Sequence, residues 1–150
     1  MRPAITFSIA AFAGAALVGA WAPQRAAADQ GSHFGALAVD RFGVFAYGSS
    51  YDYPDRAGAR QRALEECARR GETCRIVLEF AGSGCASYHT IDDKDGEAWG
   101  WGTAGARPEA QGRSQSECLA RSGGAACGNH VWSCNSDDGG AIEVLSVDRD

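Results

Sequence analysis

The sequence predicts a small α+β domain, stapled by disulfides and made of two repeated strand-helix-strand units packed around a largely antiparallel sheet. Three observations predict it. Six cysteines occur in a chain of 150 residues. The stretch "ALEECARRGETC" (63–74) returns as "SQSECLARSGGAAC" (114–127). Short apolar runs flank each copy and are bounded by glycine, proline and aspartate, as strands are.

The repeat is visible when Cys67 is set on Cys118. Arg56, Ala59, Arg62, Glu66, Cys67 and Arg70 then meet Arg107, Ala110, Arg113, Glu117, Cys118 and Arg121. Upstream, Ala46-Tyr47-Gly48 meets Ala98-Trp99-Gly100 after a one-residue slip. Downstream, Cys74 aligns with Cys127 and Cys85 with Cys134 once the loop lengths are adjusted. A period of this size that occurs only twice marks a duplication, not a solenoid.

In chain order, the first segment reads as an export signal. Arg2 precedes the uncharged apolar run Ile5–Ala22, and Ala26 and Ala28 sit at the −3 and −1 positions of a cut before Asp29. That is the order of regions in a secretory signal peptide, which predicts a signal over 1–28, a secreted or periplasmic protein and no membrane insertion after cleavage. The single domain then spans 29–140, with units at about 35–91 and 97–135, and 141–150 is a C-terminal tail or edge strand. Losing Arg2 and Arg25 leaves 12 basic against 19 acidic side chains, a formal charge of −7. An acidic surface repels phosphate backbones, which argues against nucleic acid as a partner.

"GALAVD" (35–40) and "VFAYGSS" (44–50) read as a hairpin about "RFG". Asp55 suits the N-cap of a helix that runs to Arg70, with Ala59, Ala63, Leu64, Cys67 and Ala68 on one face and Gly71 as C-cap. "CRIVLEF" (74–80) is a strand with Ile76, Leu78 and Phe80 on one face, and "CASYHTI" (85–91) continues the sheet. The second unit repeats the order with "EAWGWG", a helix over "RPEAQGRSQSECLARSG" and a strand over "CGNHVWSC". Pro108 falls in the first turn of that helix, where its missing N–H costs nothing. The tail "AIEVLSVDRD" supplies a last edge strand.

An even number of cysteines in an exported chain favours a disulfide framework. No C-x-x-C or H-x-x-x-H occurs, so zinc is not indicated, and no thiol is left over to serve as a nucleophile. The local bridges Cys67–Cys74 and Cys118–Cys127 are favoured, because the chain doubles back between helix and strand there. Cys85 and Cys134, as equivalent positions, then pair with each other across the pseudo-twofold.

With "GALAVD", "AYGSSYDYP", "ALEEC", "CRIVLEF", "WGWG" and "VWSC" in place, the chain resembles the exported bacterial family catalogued as domain of unknown function 4189. The likeness covers about residues 33–135. It implies a small, secreted, disulfide-bonded α+β domain with an internal repeat, and it carries over no activity.

Candidate chemistry is sparse. Tyr47, Tyr51 and Tyr53 in the first unit and Trp99 and Trp101 in the second are the candidate binding residues. Aromatic faces with polar neighbours suit glycans and protein hot spots, and the same rings also fill cores. In "DDKDGE", Asp93, Asp95 and Gly96 match part of a calcium loop, but Ile91 stands where the first aspartate belongs, so the stretch reads as a polar turn. "NSDDGG" (135–140) reads the same way. His33, His89 and His130 lie far apart. Glu79 and His130, from equivalent third strands, form the pair that a pseudo-twofold axis would bring together for acid–base work. No catalytic residue, metal or cofactor is assigned. The expectation is a monomeric or weakly dimeric non-catalytic binding module that recognises an envelope or extracellular protein or glycan. The alternative is a small hydrolase acting on a cell-envelope polymer.

Overall fold

The structure is a computed structural model that describes residues 33–42, 44–91, 97–136 and 141–148. The signal segment, the cut before Asp29, the core of "DDKDGE" and most of "NSDDGG" lie outside the described residues. Among the described residues, seven strands and two helices follow in the order β1 (Phe34–Asp40), β2 (Ala46–Tyr53), α1 (Arg56–Cys67), β3 (Arg75–Ala81), β4 (Gly84–Thr90), β5 (Trp99–Ala104), α2 (Arg107–Arg121), β6 (Asn129–Asn135) and β7 (Glu143–Val147).

The strands form two sheets where the sequence suggested one, with orders β2-β1-β3-β7 and β5-β4-β6, and every ladder among the described residues is antiparallel. The small α+β class therefore holds, but β4 does not continue the first sheet. It is the central strand of the second. A short turn after β3 redirects the chain, and Gly82 and Gly84 take the positive φ values of 78° and 124° that the turn needs.

Alternation along the strands makes four layers, helix, sheet, sheet and helix. Leu37, Val39, Leu78, Phe80, Tyr88, Trp99 and Val131 meet between the sheets. Ala36, Ala38 and Ala46 face α1, which buries Ala59, Ala63 and Cys67. Cys85, Ala98 and Ala104 face α2, which buries Ala110, Ser114 and Cys118. Ile76 departs from the expected face and packs beneath α1. The β1–β3 register shifts between Leu37 and Ala38, so one extra residue turns the strand over.

Asp55 caps α1 by accepting from the Gly58 amide at 2.7 Å. The helix ends at Cys67 with Ala68 as C-cap, earlier than the Arg70 and Gly71 expected from sequence. The connection to β3 is held by the buried Asp40 carboxylate, which accepts from the amides of Phe42, Glu72 and Thr73 and from the Thr73 hydroxyl. Burial alone would raise this carboxyl's pKa, but those hydrogen bonds outweigh it and hold the pKa below the ordinary value.

The disulfides are Cys67–Cys74, Cys118–Cys127 and Cys85–Cys134, and the described cysteines include no free thiol. The two local bridges close the helix-to-strand turns. Cys85–Cys134 is the expected third pairing, and it lies within one sheet. Its cysteines face each other directly in the β4–β6 ladder of one sheet.

Candidate functional site

One groove of about 720 Å³ runs along the flank where β2 of the first sheet meets β6 of the second. β2, with Phe45 just before it, lines it with every second residue, Phe45, Tyr47, Ser49 and Tyr51, while β6 lines it continuously from Gly128 to Cys134. The reason is the pleat. Ala46, Gly48 and Ser50 turn to α1 and are buried, so the intervening side chains project to the other side, where none of the described strands covers them. Tyr47 and Tyr51 are 41% and 60% exposed, and Trp132 of β6 is 37% exposed.

One end of the groove is closed by hydrogen bonds between the two strands. The Ser133 hydroxyl donates to the Ser50 carbonyl, and the Asp52 amide donates to the Asn135 side chain. Asp52 adopts a φ of 55° and accepts from the Ser136 amide at 2.7 Å, with His33 Nδ1 3.0 Å from the same carboxylate. Two arginines stand over the aromatic walls: Arg70 lies 5.6 Å from the Tyr47 ring centre and Arg107 lies 4.5 Å from that of Trp132.

The five aromatic candidates are not brought together. Tyr47 and Tyr51 line this groove. Tyr53 turns the other way and is half-buried against the α1 cluster. Trp99 is in the core, stacked on Tyr88 at 5.8 Å and covered by Arg121 at 4.4 Å. Trp101 is half-buried at the same core edge. The backbone at these tryptophans is also occupied, since the Trp101 amide donates to Glu117 and Arg121 donates to the Trp99 carbonyl. Phe45 and Trp132 were absent from the sequence candidates. Trp132 lies within the quoted "VWSC", but nothing local says which strand lies opposite it.

Glu79 and His130 are on different sheets and do not meet. Glu79 is buried beneath α1, where Arg56, Arg60 and Ser146 donate to its carboxylate. Burial raises its pKa, and the hydrogen bonds outweigh that and lower it below the ordinary value. His130 instead stacks on His89 at 4.9 Å. His89 Nδ1 lies 2.7 Å from the Ser114 hydroxyl, which also bonds to Ser87 at 3.0 Å. A serine–histidine contact suggests a nucleophile and its base, but Ser114 is fully buried between α2 and β4, where no substrate reaches it. The arrangement satisfies buried polar groups. Among the described residues, no three His, Cys, Asp or Glu side chains gather to hold a metal.

Burial first, and the charge of His130 second, lower the His89 pKa from 6.5 to about 4. The unfolded chain therefore binds this proton at a higher pH than the native chain does. Stability contributed by neutral His89 is complete above 6.5 and falls as the pH drops toward 4. Denaturant titrations should show a loss of roughly 2 kcal/mol between about pH 7 and pH 4.5. His89→Gln, which keeps a partner for Ser114 without titrating, should flatten that slope. An unchanged slope would assign the loss to other groups.

The fold and site thus define a disulfide-bridged α+β domain whose outward-facing feature is an aromatic groove between two sheets. The chain belongs to the family described as Domain of unknown function (DUF4189), which matches residues 34–134. No curated protein and no solved structure matches it.

Proposed function

We propose that the protein is an exported, non-catalytic binding module of the cell envelope or extracellular space, which holds a protein or glycan in the β2–β6 groove. The observation that carries this is the gathering of exposed Tyr47, Tyr51 and Trp132 on one concave surface, with Arg70 and Arg107 over two of the rings. Large aromatic rings left in water are costly, and they are the side chains that dominate binding energy when covered. Export is supported by the signal-like first 28 residues and by three disulfides, which persist in oxidising compartments. Among the described residues, no helix is long and apolar enough to cross a membrane.

The domain is also read as a duplication of a strand-strand-helix-strand unit, with β4 opening the second copy. Support comes from the matching strand orders β2-β1-β3 and β5-β4-β6. It comes as well from aligned contacts: Arg70 over Tyr47 matches Arg121 over Trp99, and Arg107 over Trp132 matches Arg56 on Glu79.

Capture from envelope and culture extracts by the immobilised mature protein tests the binding reading. Tyr47→Ala and Trp132→Ala should weaken capture about 30-fold each, the effect of removing a hot-spot aromatic, with little change in melting temperature. Trp99→Ala should instead destabilise the fold by about 3–5 kcal/mol, as truncated core aromatics do. Capture that ignores both groove substitutions would remove the groove from the proposal.

A further inference from the structure

We propose that the occupant of the groove is an extended peptide segment of a partner protein, which adds as a strand to the free edge of β6. This rests on the reading that the groove is the binding site, and it names the chemical class of the ligand.

The lining pattern is the first argument. β2 shows the groove alternate side chains, so it is met face-on, whereas β6 shows it consecutive residues, so it is met edge-on. A space bounded by the face of one strand and the edge of another has the shape of a missing strand. The described strands agree, with four in the first sheet and three in the second. Among the described strands β6 pairs only with β4, so along its outer edge, beside the groove, its N–H and C=O groups have no ladder partner among them.

The protein's own C-terminal strand supplies the second argument. β6 aligns with β3 through Cys127 and Cys74, and β7 pairs antiparallel with β3. Beside β3, β7 sets Val144 and Val147 against the core cluster that contains Trp99. Trp99 is the aligned counterpart of Tyr47, and each carries its counterpart arginine, Arg121 or Arg70. One of two equivalent slots is therefore filled by a strand, and the other is the groove. β5 needs no such partner, because Glu117 and Arg121 occupy backbone groups of Trp101 and Trp99. No helix side chain does this for β6 among the described residues.

Charge refines the ligand. The residue that follows β7, Asp148, is acidic and pairs with Arg75 at 3.1 Å. At the groove, Arg70 and Arg107 are exposed and make no ion pair among the described residues. The fitting peptide alternates apolar side chains, to cover Phe45, Tyr47 and Tyr51, and carries carboxylates for the two arginines. Main-chain hydrogen bonds to the edge give affinity, and the alternate side chains give selectivity.

The experiment uses the oxidised mature chain as bait for a displayed library of random linear peptides. Enriched peptides are then synthesised with single backbone N-methyl groups at successive positions. Strand addition requires an alternating result. Methylation at every second amide should cost about ten-fold in affinity or more, and methylation between them should cost little. Trp132→Ala and Tyr47→Ala should weaken the same peptides, and alternate amides of β6 should become protected from hydrogen exchange. Binding that ignores the N-methyl position, or the absence of any peptide sensitive to the groove substitutions, would overturn the strand proposal. If soluble cell-wall glycans bound instead and were lost in Trp132→Ala, the groove would stand as the site while the peptide class failed. If neither class depended on the groove, both readings would fail together.

Discussion

Replacing Cys85 and Cys134 together by alanine should lower stability by about 4 kcal/mol, against about 2.5 kcal/mol for either local bridge, on the chain-entropy account of disulfides. The three bridges differ mainly in the loop they close in the unfolded chain. Cys67–Cys74 and Cys118–Cys127 have sequence separations of 7 and 9, whereas Cys85–Cys134 has one of 49. The cost of closing a loop rises with the logarithm of its length, so the long bridge restricts the unfolded ensemble most. Cys118–Cys127 lies inside that long loop and shortens it only slightly. In the native state Cys85–Cys134 joins strands that are already paired, and their ladder holds registration from Gly84 to Asn135 when the bridge is gone. The double substitution should therefore leave a folded protein with a lower denaturant midpoint. Equal losses for the three bridges would show that local geometry outweighs loop length.

The same bridge shows what was legible in the sequence and what was not. Cysteine spacing is a local signal, and the chain must reverse between helix and strand, so Cys67–Cys74 and Cys118–Cys127 could be read directly. Cys85–Cys134 was read through an alignment that made the two positions equivalent. The ladder places them on adjacent strands of one sheet, β4 and β6. β4 is a run of small and polar residues, "GCASYHT", buried along its whole length, and nothing within it says which sheet it enters. Ser114 gives a similar lesson. In a helix it reads as a weak helix former, yet burial against His89 and Ser87 makes it a fully bonded core residue.

The candidate site was half legible for a related reason. Tyr47 and Tyr51 share one face of β2, and Trp99 and Trp101 share one face of β5, as the period-2 alternation of a strand requires. Periodicity says nothing about what lies across from a face. β7 packs at the core edge near the tryptophans, and β6 stops short of covering the tyrosines. Trp132 escaped attention because its strand alternates buried Val131 and Ser133 with itself, the pattern of any half-buried strand.

Gly48→Ala and Gly100→Ala should each destabilise the protein by about 3 kcal/mol or more, at the upper end of what overpacking costs. The two glycines occupy aligned positions in "AYG" and "AWG", each on the strand face that a helix covers. A Cβ at Gly48 would stand 2.1 Å from the Ala63 carbonyl oxygen and 2.5 Å from the Cys67 amide nitrogen. At Gly100 it would stand 2.3 Å from both the Ser114 carbonyl oxygen and the Cys118 amide nitrogen. These are backbone atoms of α1 and α2, so no rotamer change relieves the clash and the whole helix must shift. Each helix is also bridged at this turn, by Cys67–Cys74 or Cys118–Cys127, which limits how far it can move. The close approach explains why both helices bury only small side chains, Ala59, Ala63 and Cys67 in one and Ala110, Ser114 and Cys118 in the other. Gly112 supplies the control. It is exposed on α2 with nothing within 4 Å of its would-be Cβ. Gly112→Ala should therefore stabilise the protein by about 0.5–1 kcal/mol through helix propensity alone. Thermal or denaturant unfolding of the three variants measures all of this. If the strand glycines tolerated alanine as well as Gly112 does, the helices could not be packed on the sheets at backbone contact, and the layer arrangement that leaves the groove open beside β6 would have to be redrawn.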